Sequence, residues 1–420
     1  MKILLVNPNT FKNPPVIPIG LEYLATALEN RNHSAKILDL CFASSPDEKL
    51  IQELNENTYD LIGFTIRNID SAIYFNNEFF LDDIKNLIDS VKKYNIPVIL
   101  GGSGFSGMPQ EILDYLQADY GIIGPGEVIF LKFVELFKEN KLTHKIFDGW
   151  EVGTNKNLVH LRGKKVDYPK YLSDEGIVGF NTHVGCSNKC PYCIEANTRV
   201  NFRVIKNIIE ELKYLVDKGY KHFHTCDTEF NTDLNFSIEF CTALIKENLD
   251  MKWALYMKPN PYNEKLFKLL HDSNAYLITL SVDSEKGIQE LNNYSYNDLS
   301  NIIGYCDEFN IDLAIDLLVG YPYESLDSIK TCLKFFENNP PKKGVGISFY
   351  YRIYKYTALA DLVEKDEKLQ KDLITSYSNN QNFLFPIFYN QFKQETIEDL
   401  IAGKELFRIA GITPGVNYQL

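Results

Sequence analysis

The chain has 420 residues, of which 45% are hydrophobic, and a formal net charge of -13 at pH 7. This length suits two or three domains with sizeable cores. The acidic balance, without any basic run, argues against a nucleic-acid partner because phosphate contacts need clustered Lys and Arg.

The amino terminus, MKILLVNPNT, has the pattern of a buried strand rather than a signal peptide. No apolar run approaches the roughly 18 residues that a membrane span needs. Eight cysteines without a secretory signal indicate a reducing compartment. We therefore expect a cytoplasmic protein, with no membrane partner, that acts on a small molecule or a peptide.

Short apolar runs alternate with amphipathic segments in the first 140 residues. The runs are KILLVN at 2–7, AKILDL at 35–40, LIGFTI at 61–66, PVILGG at 97–102 and YGIIG at 120–124. Between them Leu21, Leu24 and Leu28 recur at helical spacing. This alternation predicts an α/β domain at 1–140 with a doubly wound parallel sheet, whose ligands bind at the carboxyl ends of its strands.

Three loops at those strand ends contain candidate ligand-binding residues. Glycine lets a backbone approach a ligand closely, although many such loops are only tight turns. The loop GGSGFSG at 101–107 does not match the dinucleotide-binding fingerprint. The candidates are Arg67, Asn68, Gly102, Ser103, Gly104, Gly124, Gly126 and Glu127.

The second half of the chain resumes the alternation after an irregular linker predicted at 141–172. Six apolar runs, each followed by an amphipathic segment, predict a partial (β/α)6 TIM barrel at 173–356. The last segment, 357–420, is expected to be a short C-terminal cap. In it, NFLFPIFYN at 382–390 is typical of a core strand, and a helix is predicted from Glu395 to Ile409.

A cysteine-rich loop follows the first strand of the predicted barrel. Cys186, Cys190 and Cys193 have the spacing Cys-x-x-x-Cys-x-x-Cys. Three thiolates this close can hold three corners of an iron–sulfur cube and leave its fourth iron open. A structural zinc site is the alternative, but it usually pairs two Cys-x-x-Cys knuckles, and a second knuckle is absent from the sequence. A disulfide is a further alternative.

Polar side chains follow other strands of the predicted barrel and should point into the same mouth. Asp227 and Glu229 follow the second strand, and Ser281 and Asp283 lie at the end of the fourth. Each of these residues could instead cap a helix N-terminus, a role that Asp and Ser commonly fill. Their convergence at one mouth is a stronger indication of a site than any one of them.

The three cysteines, with the aromatic Tyr192 before the last of them, resemble the signature of the radical S-adenosylmethionine (SAM) enzymes. The resemblance implies a 4Fe–4S cluster whose open iron is chelated by SAM, and an electron donor such as flavodoxin or ferredoxin. The stretch DTEFN stands where these enzymes carry Gly-Gly-Glu, so either Asp227 or Glu229 would receive the methionine amine. Ser281 and Asp283 match positions that hold the ribose hydroxyls or the methionine carboxylate.

The first 140 residues resemble the cobalamin-binding domain of one radical SAM subfamily. The likeness rests on PPVIPIGLEYLATAL at 14–28, RNID at 67–70 and the GGSGFS and GPGE loops. The motif Asp-x-His-x-x-Gly, whose histidine ligates cobalt, is absent from the sequence. In the tryptophan methyltransferase branch an arginine lies under the metal, and Arg67 falls at the matching position. The alternative for Arg67 is an ordinary ion pair at a strand end.

Together these resemblances imply a cobalamin-dependent radical SAM enzyme. The expected reaction moves a methyl group from SAM through cobalamin to a carbon atom, with Arg67 and Glu229 as candidate catalytic residues. The alternatives are a radical rearrangement or ring contraction without methyl transfer, and a non-catalytic cofactor carrier. A methylthiotransferase is disfavoured because Cys41 is the only cysteine before the central motif, too few for a second cluster.

Overall fold

The computed structural model describes residues 1–377 and 382–412, which form two compact units. The first unit comprises Met1–Ser71, Glu78–Gly179 and Asn201–Tyr220. The second comprises Ala72–Asn77, Phe180–Val200 and the chain from Lys221 onward. The residues predicted as a linker, 141–172, therefore pack within the first unit.

The first unit contains a parallel sheet with helices between its strands. Its first six strands are β1 (Lys2–Asn7), β2 (Ser34–Asp39), β3 (Leu61–Thr65), β4 (Val98–Gly101), β5 (Tyr120–Ile123) and β6 (Ile146–Asp148). Its first seven helices are α1 (Ile19–Glu29), α2 (Pro46–Glu56), α3 (Leu81–Lys92), α4 (Ser103–Gly107), α5 (Pro109–Leu116), α6 (Gly126–Lys138) and α7 (Tyr168–Ser173).

The strand order of this sheet is β2-β1-β3-β4-β5-β6, and every pairing is parallel. Strand β1 has the apolar run Ile3–Val6, which is buried because the chain covers both faces of the sheet. The chain runs from β1 to β2 on one side and then crosses back to β3 on the other side of β1. The sheet thus has its topological switch point between β1 and β3, where doubly wound folds bind their ligands.

Two details of the first unit differ from the sequence prediction. The glycine-rich segment after β4 contains the short helix α4 rather than only a loop, because Gly102 adopts φ +102° and turns the chain directly into a helix. A sixth strand, β6, lies inside the segment that composition alone marked as a linker. Both elements are too short to produce a periodic pattern.

The chain then continues through β7 (Val178–Phe180), β8 (His183–Val184), β9 (Asn201–Phe202) and α8 (Ile205–Asp217). The second unit has strands β10 (His222–Thr225), β11 (Lys252–Met257), β12 (Ala275–Asp283), β13 (Asp312–Leu318), β14 (Val345–Ser348), β15 (Tyr351–Arg352), β16 (Leu373–Thr375), β17 (Ile387–Tyr389) and β18 (Phe407–Ile409). Its helices are α9 (Leu234–Glu247), α10 (Glu264–Asp272), α11 (Lys286–Leu291), α12 (Tyr296–Glu308), α13 (Leu326–Asn338), α14 (Ala358–Lys365), α15 (Glu367–Gln370) and α16 (Gln394–Ile401).

The main sheet of the second unit has the order β18-β14-β13-β12-β11-β10-β7. Strands β7 and β10–β14 follow one another across the sheet with helices between them, as a partial TIM barrel requires. The predicted α/β fold class is confirmed for both sheets. Among the described residues, we find no helix with the length and apolar character to span a bilayer.

The C-terminal segment forms a small antiparallel sheet and also extends the barrel sheet. The order of the small sheet is β15-β17-β16, and β17 is the buried strand predicted within 382–390. The helix predicted from Glu395 to Ile409 was wrong beyond Ile401. Gly403, with φ +74°, ends that helical stretch, and β18 then pairs with β14. Residues 413–420 lie outside the described part of the chain.

A buried ion cluster joins α8 to the rest of the first unit. Glu211 of α8 accepts hydrogen bonds from Arg162 Nε at 2.5 Å, from Arg203 Nη2 at 2.6 Å and from the Tyr23 hydroxyl at 3.0 Å. Burial alone would raise the pKa of Glu211, but Arg203 and Arg162 outweigh it and lower this pKa to about 2. The paired charges explain how one carboxylate and two guanidinium groups can be buried together.

We predict that Glu211→Gln destabilises the first unit by about 3–5 kcal/mol, because it removes the carboxylate charge that pairs with two buried guanidinium groups. Scanning calorimetry of the full chain at pH 7 should show a lowered unfolding temperature. The matched control is Glu210→Gln on the same helix, whose side chain is 44% exposed and should change stability by less than about 0.5 kcal/mol. Equal effects of both variants would contradict the prediction.

The lowered pKa of Glu211 also predicts that the free energy of unfolding depends on pH. A lowered folded-state pKa means that the contribution of Glu211 is present above its usual pKa of 4.5 and is lost as the pH falls toward about 2. Acid unfolding curves of the wild type and Glu211→Gln should therefore converge in that window. Curves that stay parallel down to pH 2 would show that the carboxylate does not titrate with unfolding.

Candidate functional site

The cysteine loop between β8 and β9 is held by its own backbone. Cys186 donates its N–H to Thr198 Oγ1 and accepts from the Thr198 N–H, both at 2.9 Å. Cys193 N–H donates to Cys190 O at 3.2 Å. Cys186 and Cys190 are buried, and Cys193 is partly buried. The loop thus presents three thiols from a short, closed turn.

Burial raises the pKa of all three thiols, to about 12 for Cys193. Uncoordinated, these cysteines would be neutral thiols rather than thiolates at neutral pH. Coordination to a metal deprotonates a thiol, so a bound metal centre would supply the stabilisation that the protein alone does not. The donor set of three sulfurs therefore fits an iron–sulfur cluster.

Within residues 1–377 and 382–412, no three His, Cys, Asp or Glu side chains converge closely enough to bind one metal ion. A cubane cluster does not require such convergence, because each cysteine binds a different iron. None of the three thiols forms a disulfide in the described part of the chain.

A buried carboxylate at the end of β12 connects the cysteine loop to the barrel. Asp283 Oδ1 accepts from the Tyr192 hydroxyl at 2.6 Å, and Asp283 Oδ2 accepts from the Tyr294 hydroxyl at 3.3 Å. Lys258 Nζ, at the end of β11, lies 3.5 Å from Asp283 Oδ2. The structure thus brings Tyr192 and Asp283, both predicted to bind cofactor, into direct contact with each other.

The two acidic residues after β10 have different surroundings. Asp227 Oδ1 accepts from the Thr182 N–H at 2.7 Å, and Asp227 Oδ2 accepts from the Thr182 hydroxyl at 2.8 Å. Glu229 is equally buried, but its Oε2 atom has no hydrogen-bond partner among the described residues. The carboxylate of Asp227 therefore already binds Thr182 at the end of the first barrel strand, whereas Glu229 Oε2 can still accept a hydrogen bond.

Burial raises the pKa of Glu229 to about 7, against the opposing effects of Lys258 and of a hydrogen bond from the Ser281 hydroxyl. The structure thus brings Ser281 and Glu229 together, as their places at the ends of barrel strands suggested. An unsatisfied buried carboxylate is costly and is typical of a position that a ligand completes.

Sequence reasoning missed two residues that contact this site. Lys258 lies at the carboxyl end of a barrel strand, a position that could have marked it as a candidate. Asn292 follows α11, and its Nδ2 donates to Cys190 Sγ at 3.8 Å while its Oδ1 accepts from the Lys189 N–H at 3.0 Å. No sequence pattern signals the role of Asn292.

The first unit has a pocket at its topological switch point. The residues that line it come from the ends of β1 and β3 and from the start of α3: Pro8, Asn9, Thr10, Thr65, Arg67, Asn68, Phe80, Asp83 and Ile84. Arg67 and Asn68 are exposed there. Two of the predicted cofactor-binding residues therefore lie where a doubly wound fold binds its ligand.

Glycines let the loops after β3 and β4 lie against each other. A Cβ atom on Gly102 would stand 2.5 Å from the Ile66 carbonyl oxygen, and one on Gly104 would stand 3.0 Å from that of Arg67. Ser103 Oγ donates to the Arg67 carbonyl oxygen at 2.9 Å. The predicted residues of these two loops form one contiguous backbone surface.

The loop after β5 contains two glycines and leads to a buried carboxylate. Gly124 has φ +70° and donates its N–H to Ser106 Oγ at 2.9 Å, while Gly126 begins α6. Glu127 is buried, and its Oε2 accepts from the Asn155 N–H at 3.0 Å and lies 3.6 Å from His160 Nε2. The carboxylate of Glu127 thus already has protein partners.

Comparison with known families matches both halves of the chain. Residues 13–134 match the B12 binding domain family, and residues 180–336 match the Radical SAM superfamily. These matches confirm the predicted combination of a cobalamin-binding domain with a radical SAM barrel.

The chain is similar to tryptophan 2-C-methyltransferase from Streptomyces laurentii, at 23% identity over 85% of this chain and 74% of that protein. The chain is also similar to a solved structure of the radical S-adenosylmethionine methyltransferase TsrM from Kitasatospora setae, which has cobalamin and a [4Fe–4S] cluster bound. The match covers 96% of this chain and 91% of the TsrM chain. Its TM-score is 0.87 at 22% identity. A second TsrM structure, with tryptophan and a SAM analogue, has a TM-score of 0.84 at 22% identity and covers 95% and 88% of the two chains. These structures share the fold of this chain.

We predict that Gly102→Ala weakens cobalamin binding, because a Cβ atom would clash with the Ile66 carbonyl oxygen and strain the left-handed backbone by about 1–3 kcal/mol. The measurement is the hydroxocobalamin retained after desalting. Gly20→Ala is the matched control, since a Cβ atom there meets nothing within 4 Å. Full cobalamin retention by folded Gly102→Ala would contradict the prediction.

Proposed function

We propose that the chain moves a methyl group from SAM, through cobalamin, to a carbon atom of a small molecule or peptide, because it combines matches to the B12 binding domain family and the Radical SAM superfamily. The observation that carries this proposal is the presence, in one chain, of a three-cysteine loop on a barrel and a strand-end pocket at a doubly wound switch point. Each feature fits one of the two cofactors.

Cys186, Cys190 and Cys193 would hold the 4Fe–4S cluster through their sulfurs. Three protein ligands leave one iron of a cubane open to an external ligand. When bound, the cluster supplies an open iron and an electron-transfer centre. The loop contributes a closed turn in which Cys186 and Cys190 are buried.

The barrel mouth would bind SAM through Tyr192, Glu229, Ser281 and Asp283. Glu229 is favoured over Asp227 as the acceptor for an ammonium group, because Asp227 already accepts hydrogen bonds from Thr182. An ammonium beside Glu229 Oε2 would supply its missing partner and lower its pKa. Asp227 would act indirectly, by holding the end of the first barrel strand.

The first unit would bind cobalamin with residues around the strand ends and with Glu127 at the start of α6. The strand-end residues are Asn68, Gly102, Ser103, Gly104, Gly124 and Gly126. When bound, cobalamin supplies a cobalt that can carry a methyl group. The loops contribute a glycine backbone that a large planar ligand can approach closely. Arg67, which lines the pocket, would lie near the cobalt, where its fixed positive charge would disfavour coordination by a protein side chain.

The class of substrate is proposed from a similar solved structure. Tryptophan is bound in a TsrM structure, and that supports a small-molecule substrate here without naming it. We further propose a cytoplasmic location with an electron donor such as flavodoxin or ferredoxin, because an iron–sulfur cluster needs a reducing compartment.

The first test is reconstitution without oxygen, with iron, sulfide and hydroxocobalamin, followed by desalting. We expect stoichiometric cobalamin together with a cluster absorbance that disappears when the three cysteines become Ala. Addition of SAM under reducing conditions should then change the cobalamin spectrum, and with substrate should yield a product heavier by one methyl group. A product of unchanged mass would favour a rearrangement, and cofactor binding without SAM turnover would favour a carrier.

We predict that Arg67→Leu changes the spectrum of the bound cobalamin and lowers turnover by about tenfold or more, equivalent to about 1.4 kcal/mol in the barrier. The reason is that the guanidinium would no longer disfavour coordination of the cobalt by a further ligand. The control is Arg31→Leu, an exposed arginine away from the pocket. An unchanged spectrum and turnover in Arg67→Leu would remove the assigned role.

A further inference from the structure

We propose that Lys258 and Asn292 donate hydrogen bonds to the sulfur of Cys190 and so raise the reduction potential of the cluster that the cysteine loop holds. This inference rests on the proposed function only in requiring a cluster at Cys186, Cys190 and Cys193. It assigns roles to two residues of the barrel that sequence reasoning did not single out.

The contacts at Cys190 come from two elements of the second unit. Asn292 Nδ2 donates to Cys190 Sγ at 3.8 Å, within the range for a hydrogen bond to sulfur. The Lys258 ammonium group also lies beside the Cys190 sulfur, where it can act as a second donor. Lys258 and Asn292 are 4% and 8% exposed, so water competes little for either donor.

Both donors are held in place by the fold. The backbone of Lys258 is clamped by Asn231, whose Oδ1 accepts the Lys258 N–H at 3.1 Å and whose Nδ2 donates to its carbonyl oxygen at 2.8 Å. Asp283 holds the ammonium group from the other side. Asn292 is fixed because its Oδ1 accepts the Lys189 N–H.

The three cysteines differ in the donors that face their sulfur atoms. The Asn188 N–H faces the sulfur of Cys186, and the Glu195 N–H faces the sulfur of Cys193. These donors are neutral, whereas Cys190 has a cationic donor and an amide. Net charge and hydrogen bonds to sulfur set the potential of an iron–sulfur cluster, and positive charge favours the more negative, reduced form.

The test is a redox titration of reconstituted, SAM-free protein, followed by electron paramagnetic resonance, with iron content as the measure of assembly. We expect Lys258→Met to shift the midpoint to more negative potential and Lys258→Arg to retain the wild-type midpoint. Asn292→Asp, which keeps an acceptor for Lys189 but turns the donor into an anion, should shift it in the same direction as Lys258→Met. Lys268→Met, an exposed lysine on α10, is the matched control and should show no shift.

An intact cluster with the wild-type midpoint in Lys258→Met would overturn the proposal. Loss of the cluster in both Lys258→Met and Lys258→Arg would also overturn it, because the side chain would then serve packing alone. Loss in Lys258→Met with assembly in Lys258→Arg would support it, since the charge would be needed. A shifted midpoint in a protein that fails to methylate would leave this inference standing while the proposed function fails.

Discussion

The buried carboxylate of Asp283 is the interaction on which the barrel site depends. Buried charges are tolerated only when they are paired and hydrogen-bonded, and Asp283 achieves this with Tyr192, Tyr294 and Lys258. Because Tyr192 belongs to the cysteine loop, this pairing ties an otherwise irregular loop to two barrel strands. The position of the thiols is thereby coupled to the rigid part of the second unit.

In the first unit, close backbone packing rather than paired charges fixes the position of the site. At the switch point between β1 and β3, the loops after β3 and β4 approach so closely that side chains at Gly102 and Gly104 would meet backbone. A backbone surface of this kind suits a large planar ligand, which needs area more than a few strong polar contacts. The two units therefore use different physical means that match the chemistry of their proposed ligands.

Much of the architecture was predictable because it is written in local patterns. The apolar runs of β1 to β5 and of β10 to β14 are long enough to identify buried strands, and the cysteine spacing is a local property of one loop. The helix assigned through Ile409 failed because β18 is specified by its pairing with β14, a long-range contact. Strand β6 and helix α4 were missed since each has five residues or fewer.

The properties of the site residues also divide into those set by local sequence and those set by long-range contacts. Their placement at strand ends follows from a parallel sheet, but which carboxylate is available depends on partners that are distant in sequence. Asp227 and Glu229 are two residues apart and chemically alike, yet Asp227 is satisfied by Thr182, 45 residues away. The carboxylate that the fold leaves unsatisfied is the one that a ligand must complete, and only the three-dimensional contacts distinguish it. The same holds for Lys258, whose strand-end position suggests a site but whose pairing with Asp283 and Cys190 gives it a specific electrostatic role.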